Sequence, residues 1–268
     1  MGLFEKMPAV DKEWEKVLKQ EKKFLEKRLE KKESILNQKL AEKIPKKLQD
    51  TLDTAFYKAF SMIFEKGTAV IEKTYNRETL EQDYKVQQYA VEIKQNKKAF
   101  RTLTQNASYS GVKNVATSSL MGIVMGALGI GLPDIPLFTG MIFKSIYEIA
   151  LRYGYEYETQ EEQIYILLLI QGALSYGEDL RELNEEINTY IATQQFSKSE
   201  DKEEELRNAA AALSKELLYM KFLQGIPIIG VVGGAYDAVY MQRITEYVEL
   251  KYRHRYLYDE KKRELKGK

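Results

Sequence analysis

The chain has 268 residues, 44% of them apolar and 30% charged, enough for one large domain or two small ones and unlike a polytopic membrane protein. Lysine plus arginine (41) balance aspartate plus glutamate (40), so net charge gives no footprint of nucleic-acid binding. With no cysteine and a single histidine, His254, disulfides, thiolate catalysis and sulfur-ligated metals are excluded, and neither a metal nor a cofactor is expected.

The overall balance conceals a pattern. Residues 11–50 carry 13 basic and 9 acidic side chains, whereas residues 152–205 carry 4 basic and 14 acidic ones. The middle is therefore acidic, and the tail after Met241 turns basic again. Met1 to Val10 lacks the positive patch and apolar run of a secretion signal, which with the missing cysteines points to the cytoplasm.

Residues 11–49 read as one long charged helix. Trp14, Leu18, Leu25, Leu29, Leu36 and Leu40 are spaced alternately by four and seven, an eleven-residue repeat that keeps them on one face. Such a helix docks on the body of the protein, pairs with a copy of itself, or lies on a membrane surface with its lysines snorkelling. Pro45 ends or kinks it near Ile44. A second helix is predicted over 47–75, and a third runs from a start signal at Thr79, Glu81 and Gln82 to about Leu103.

The segment 114–143 is apolar except for Asp134, with Gly122, Gly126, Gly129 and Gly131 on its first limb. Gly131, Pro133 and Pro136 do not suit the interior of one continuous helix, so the segment reads as a helical hairpin. Its second limb runs from about Ile135 to Tyr153, with Asp134 as N-cap and Gly154 as the stop. Thr159 and Glu162 form a capping box for a helix over 160–177, whose apolar middle predicts burial. An acidic helix over 178–196 follows, and then one of about 200–223. A second special segment, 222–241, repeats the grammar with Gly225, Pro227, Gly230 and the acid Asp237, and its helix is predicted to reach about Tyr258. Both segments are short or rich in small polar residues for a membrane span. Burial in a helical core, or shallow insertion of the hairpin tips, suits them better. The fold class is thus all-α: a multi-helix bundle with an N-terminal helix (1–49), a helical domain (50–260) and a charged tail (261–268).

Two motifs carry a family resemblance. GLPDIP (131–136), followed by EIALRYGYE (148–156), and QGIPIIGVVGGAYD (224–237), followed by an aromatic and basic helix, resemble the EcsC family of bacterial proteins over roughly residues 55–260. Asp237 stands where the family's asparagine is expected. The resemblance implies an all-α protein of unassigned biochemical activity, associated by name with an ABC transporter gene set and protein secretion.

Candidate chemistry is thin. No lysine followed by serine or threonine completes a P-loop, and Gly129 and Gly131 lack the third glycine of a dinucleotide fingerprint. Gly122 and Gly126 form a GxxxG pair suited to close helix packing. A buried carboxylate pair drawn from Asp134, Glu148 and Asp237 is the one catalytic candidate, for a hydrolase-type enzyme. Their structural roles would be a cap for Asp134, an i,i+4 pair with Arg152 for Glu148, and a satisfied polar group for Asp237. The run 251–258 mixes base and ring: Val248, Tyr252 and Tyr256 are placed to pack inward while Lys251, Arg253, His254 and Arg255 meet water or anionic headgroups. The expectation is a non-catalytic accessory protein, peripheral on the inner face of the cell membrane, whose partner is that surface or a membrane protein and not nucleic acid. The alternatives are the hydrolase and a soluble scaffold oligomerising through its N-terminal helix.

Overall fold

In the computed structural model, residues 7–29, 44–108, 134–196, 201–223 and 235–266 are described, and every regular element among them is helical. Helix α1 (Ala9–Leu29) forms where expected, and Trp14 and Leu25 of the expected face pack half-buried against the core, but the fully buried face is shifted from theirs. Val10, Glu13, Val17, Glu21 and Phe24 are buried, whereas Leu18 is 40% exposed. The buried set follows a spacing of three and four, and it includes two glutamates that a leucine-based reading assigns to solvent. Residues 30–43 of the predicted helix lie outside the described residues.

Pro45 (φ −60°, ψ 123°) precedes helix α2 (Lys46–Met62) and receives the Leu48 N–H on its carbonyl at 2.9 Å. The single helix predicted over 47–75 is divided: a π-helical turn, Ile63–Gly67, separates α2 from the short α3 (Thr68–Glu72). The turn sets Phe64 edge-on to Phe143, with ring centres 5.0 Å apart, beside Phe60 at 5.3 Å. Helix α4 (Arg77–Lys94) is capped by Asn76, whose Oδ1 accepts the Thr79 N–H at 2.9 Å; Thr79 is thus the third residue of the helix and not its start signal. The predicted run to Leu103 is broken at Gln95, in the left-handed region at φ 40°. Asn96 then accepts the Ala99 N–H at 3.0 Å and opens α5 (Lys97–Ser108).

Helix α6 (Asp134–Arg152) stops as expected at Gly154. Gly154 N–H donates to Leu151 O at 3.0 Å and Tyr155 N–H to Ala150 O at 2.9 Å, the paired bonds of a Schellman stop. Helix α7 (Gln160–Leu174) is buried from Glu162 to Leu174. Helices α8 (Gly177–Thr193) and α9 (Lys202–Leu223) follow. Helix α10 (Ala235–Lys266) runs past Tyr258, so most of the predicted tail is helical.

Helices α6, α7 and α10 form the centre. α7 lies among α8, α9 and α10; α6 lies among α2, α4, α5 and α10; α1 crosses α10, α8 and α5. Gly172 admits α10 closely, because a Cβ there would stand 2.8 Å from the Tyr247 ring. Val10, Val17 and Phe24 of α1 join the same apolar cluster as α6, α7 and α10. At the surface, Arg77 gathers Glu72, Glu81, Glu156 and Glu158, tying the start of α4 to the loop after α6. No described helix is long and apolar enough to cross a membrane.

Gly154 bears two constraints. Its φ of 80° disfavours a side chain, and a Cβ would meet the Tyr84 ring at 2.3 Å. Gly154→Ala is expected to destabilise the protein by at least the 1–2 kcal/mol or so of a left-handed residue, with the Tyr84 overlap added. Urea denaturation measures it, and an unchanged midpoint would contradict the packing described.

Candidate functional site

The basic and aromatic run of α10 is where chemistry is concentrated, and its cations point inward. Lys251, His254 and Arg255 are buried, and the Arg253 side chain is largely so. Water-facing or headgroup-facing roles for Lys251, His254 and Arg255 are therefore corrected; Arg253 lies at the edge, partly buried. α10 is flanked by α1 and α8 on one part of its circumference and by α6 and α7 on another, and its outer stripe is Gln242, Glu246, Glu249 and the edge of Arg253. Val248, Tyr252 and Tyr256 are buried, as their spacing predicts.

A charge can be buried only with a partner, and α1 and α7 supply carboxylates. Lys251 Nζ donates to Glu21 Oε1 at 2.7 Å and to Asn188 Oδ1 at 2.8 Å. His254 Nδ1 lies 2.8 Å from Glu21 Oε2, so the facing carboxylate assigns the proton to that nitrogen. Asn188 Nδ2 adds a third donor to Glu21 at 2.9 Å. Burial pushes the Glu21 carboxyl up, but the His254 hydrogen bond and the Lys251 charge outweigh it and hold the group well below the usual carboxylate range. One turn along, Arg253 Nη2 donates to Glu13 Oε2 at 2.9 Å. Trp14 covers this row, its ring centre 4.9 Å from that of His254.

Glu162 of α7 has two duties. Its backbone N–H donates to Thr159 Oγ1 at 3.2 Å, the first half of the predicted capping box. The reciprocal half is not made, because the side chain turns inward. There it accepts from Arg255 Nη1 at 3.0 and 2.7 Å on its two oxygens, and from the Tyr252 hydroxyl at 2.6 Å. The Arg255 guanidinium lies 4.1 Å from the Tyr155 ring centre and 5.1 Å from that of Tyr165, an aromatic enclosure suited to its flat, weakly hydrated cation. A further pair joins α9 to α10: Arg243 Nη1 donates to Glu216 Oε2 at 2.9 Å and to the Tyr176 hydroxyl at 2.6 Å. Here burial prevails over Arg243, and the Glu216 carboxyl is raised.

The other candidates are placed less completely. Glu148 is buried and paired within α6, accepting from Lys144 Nζ at 2.6 Å; Arg152, the expected i,i+4 partner, acts on it through its charge. Asp134 opens α6 and Asp237 lies in the first turn of α10, but their side chains fall outside the described set. So do Gly122, Gly126, Gly131, Pro133, Gly225, Pro227 and Gly230, whereas Pro136 is buried in α6. No grouping of metal-binding side chains occurs among the described residues. The pairs of Lys251, Arg253, Arg255 and Arg243 with Glu21, Glu13, Glu162 and Glu216 form a latch around α10. A groove of ≈ 450 Å³ lies beside it between α1 and α10, lined by Lys23, Lys27 and Arg253 but also by Glu246 and Glu249. Glu13, Glu21 and Glu216 are what the sequence reading missed, and for Glu162 it found the cap but not the inward-turned carboxylate. The signal for the first two was the 10, 13, 17, 21, 24 spacing, which matches a helix face once glutamate is admitted to it.

The arrangement holds four helices together by mutual neutralisation. Replacing Glu21 by Leu leaves Lys251 buried without an anion and is expected to cost about 3–5 kcal/mol, with a good part recovered when Lys251→Met is added. Urea denaturation of the two single variants and the double variant measures this; a Glu21→Leu cost below 1 kcal/mol would remove the latch from the account. Acid acts on the same group. Because the folded-state carboxyl of Glu21 titrates below its ordinary value of 4.5, its contribution is complete above that value and is lost as the pH falls below it. Trp14, the one tryptophan, reports on it: its emission is expected to hold steady near neutrality and shift to the red below about pH 4.5.

No curated protein and no solved structure gives a significant match. The EcsC protein family matches residues 11–257, beginning inside α1 and ending next to the last latch residue. A match that spans nearly the whole helical body, including the N-terminal helix that the motif resemblance leaves out, places the chain in the EcsC protein family.

Proposed function

We propose that this chain is a non-catalytic accessory protein, peripherally associated with a membrane from the cytoplasmic side and acting beside a membrane protein such as an ABC transporter. The observation that carries the reading is the use made of its buried ionisable groups. Each buried carboxylate among the described residues accepts a hydrogen bond from a neighbour, and those of the latch are neutralised by cations across helix boundaries. General acid–base work wants a carboxyl or imidazole facing a substrate space with its proton affinity tuned near the working pH. Glu21 and Glu162 instead face fixed cations in the middle of the bundle. This supports a structural role for the polar constellation and weighs against the hydrolase reading. The scaffold reading is disfavoured by α1, whose buried face is already occupied by its own body.

The membrane side of the proposal rests on surface composition: large apolar side chains stand exposed on α4 near exposed lysines. In cell fractionation the protein is expected to sediment with membranes at low salt and to be released by high salt or an alkaline wash. Recovery wholly in the soluble fraction at low salt would reject the membrane reading.

A further inference from the structure

We propose that the elbow between α4 and α5 is the surface by which this protein lies on an anionic lipid bilayer, an inference that rests on the peripheral-membrane reading and gives it an address. Helix α4 has one face against the bundle and another in solvent. Its inner face is buried through Leu80, Gln88 and Val91, yet Val86, Tyr89 and Ile93 are 70%, 65% and 63% exposed. Their spacing of three and four places them on one stripe. Single exposed apolar residues are ordinary, but three large ones aligned along two turns form a continuous apolar strip.

Charge chooses the occupant. Lys85 is exposed one turn before Tyr89, and Lys94, Lys97 and Lys98 are exposed where the strip ends. The left-handed Gln95 separates the last turn of α4 from the first of α5 and so gathers these lysines at one corner. The same corner continues across a groove of ≈ 540 Å³ where Val91 and Phe100 are lined up with Arg263 but also with Glu92, Glu260 and Glu264. Beside residues of that groove stand two more exposed apolar side chains, Met7 at 43% and Leu265 at 74%. Acidic residues are present on α4 as well: Glu78 is exposed at its far end, and Asp83 and Glu92 are exposed nearer the strip, where Glu92 accepts from Gln88 at 3.1 Å. In the groove Glu260 is paired with Arg263, so the four exposed lysines outnumber the acids beside the strip. Apolar side chains for the acyl boundary, a tyrosine for the interface and flexible lysines for the headgroups are the components of an interfacial anchor. The acidic helix α8 packs on α7, α1 and α10 rather than beside this strip, so the charge distribution favours presenting the elbow to a negative surface.

The test is flotation of the full-length protein with vesicles of phosphatidylcholine alone or with added phosphatidylglycerol. Wild type is expected to bind the anionic vesicles in a salt-dependent manner. Combined Lys94→Gln, Lys97→Gln and Lys98→Gln is expected to weaken binding roughly 100-fold, since each lysine near such a surface contributes about a fivefold factor. Combined Val86→Ser, Tyr89→Ser and Ile93→Ser is expected to weaken it at least about tenfold. A control of equal charge, Lys19→Gln, Lys22→Gln and Lys23→Gln on the outer side of α1, should stay within about twofold of wild type if the elbow is the contact. Circular dichroism confirms folding of each variant, which the exposure of all the altered side chains favours. Wild-type binding with undiminished binding by both elbow variants, or an equal loss in the control, overturns the surface and leaves the membrane reading intact. No binding of wild type to either vesicle overturns both and turns the strip over to a protein partner.

Discussion

The constraint on which this structure depends is that a charge inside a helical bundle needs an opposite charge on a neighbouring helix. Helix α10 carries Lys251, Arg255 and Arg243 into the interior, with the Arg253 side chain largely covered beside them. Left alone, each would carry a desolvation cost of several kcal/mol. Glu21 and Glu13 on α1, Glu162 on α7 and Glu216 on α9 remove that cost in pairs. The bundle is therefore assembled around α10 with little freedom in register. Sliding α1 by one turn would take Glu21 away from Lys251 and His254 together, whereas an apolar seam would tolerate the slip. Apolar residues supply most of the burial; the ion pairs specify which of the apolar arrangements is adopted.

This explains which parts of the fold were legible in the sequence. Elements closed by local chemistry were read well: Gly154 stops α6 with a left-handed residue, Thr159 caps α7, and the apolar middle of α7 is buried. Interruptions inside polar helices were not. The π turn at Ile63–Gly67 and the elbow at Gln95 carry no proline, and Gln95 is not a residue that announces a left-handed turn. The site was less legible than the fold, for a related reason. Hydrophobic patterning treats Glu13, Glu21, Lys251 and Arg255 as an outer face, because the partner that makes burial tolerable lies some 230 residues away in the chain for Glu21 and Lys251. Only the three-dimensional pairing reveals it.

Inside and outside then divide the work. The cations nearest the aromatic run of α10 serve the core, so they are not available to headgroups, and the basic character that remains exposed is concentrated elsewhere. At the α4–α5 elbow it stands beside apolar side chains left uncovered by the bundle. An interior fixed by ion pairs and a corner where apolar side chains and lysines stand exposed together are the features on which the proposed peripheral, non-catalytic role rests.

Helix α1 is an integral member of the core, although most of its sequence is polar. Native-state hydrogen exchange under mild denaturant addresses this directly. The amides of Val17 to Phe24 are expected to exchange with the same opening free energy as those of Tyr247 to Tyr256, because neither helix can leave without exposing the other's buried charges. Exchange of α1 at the rate of an isolated helix, while α10 remains protected, would contradict it.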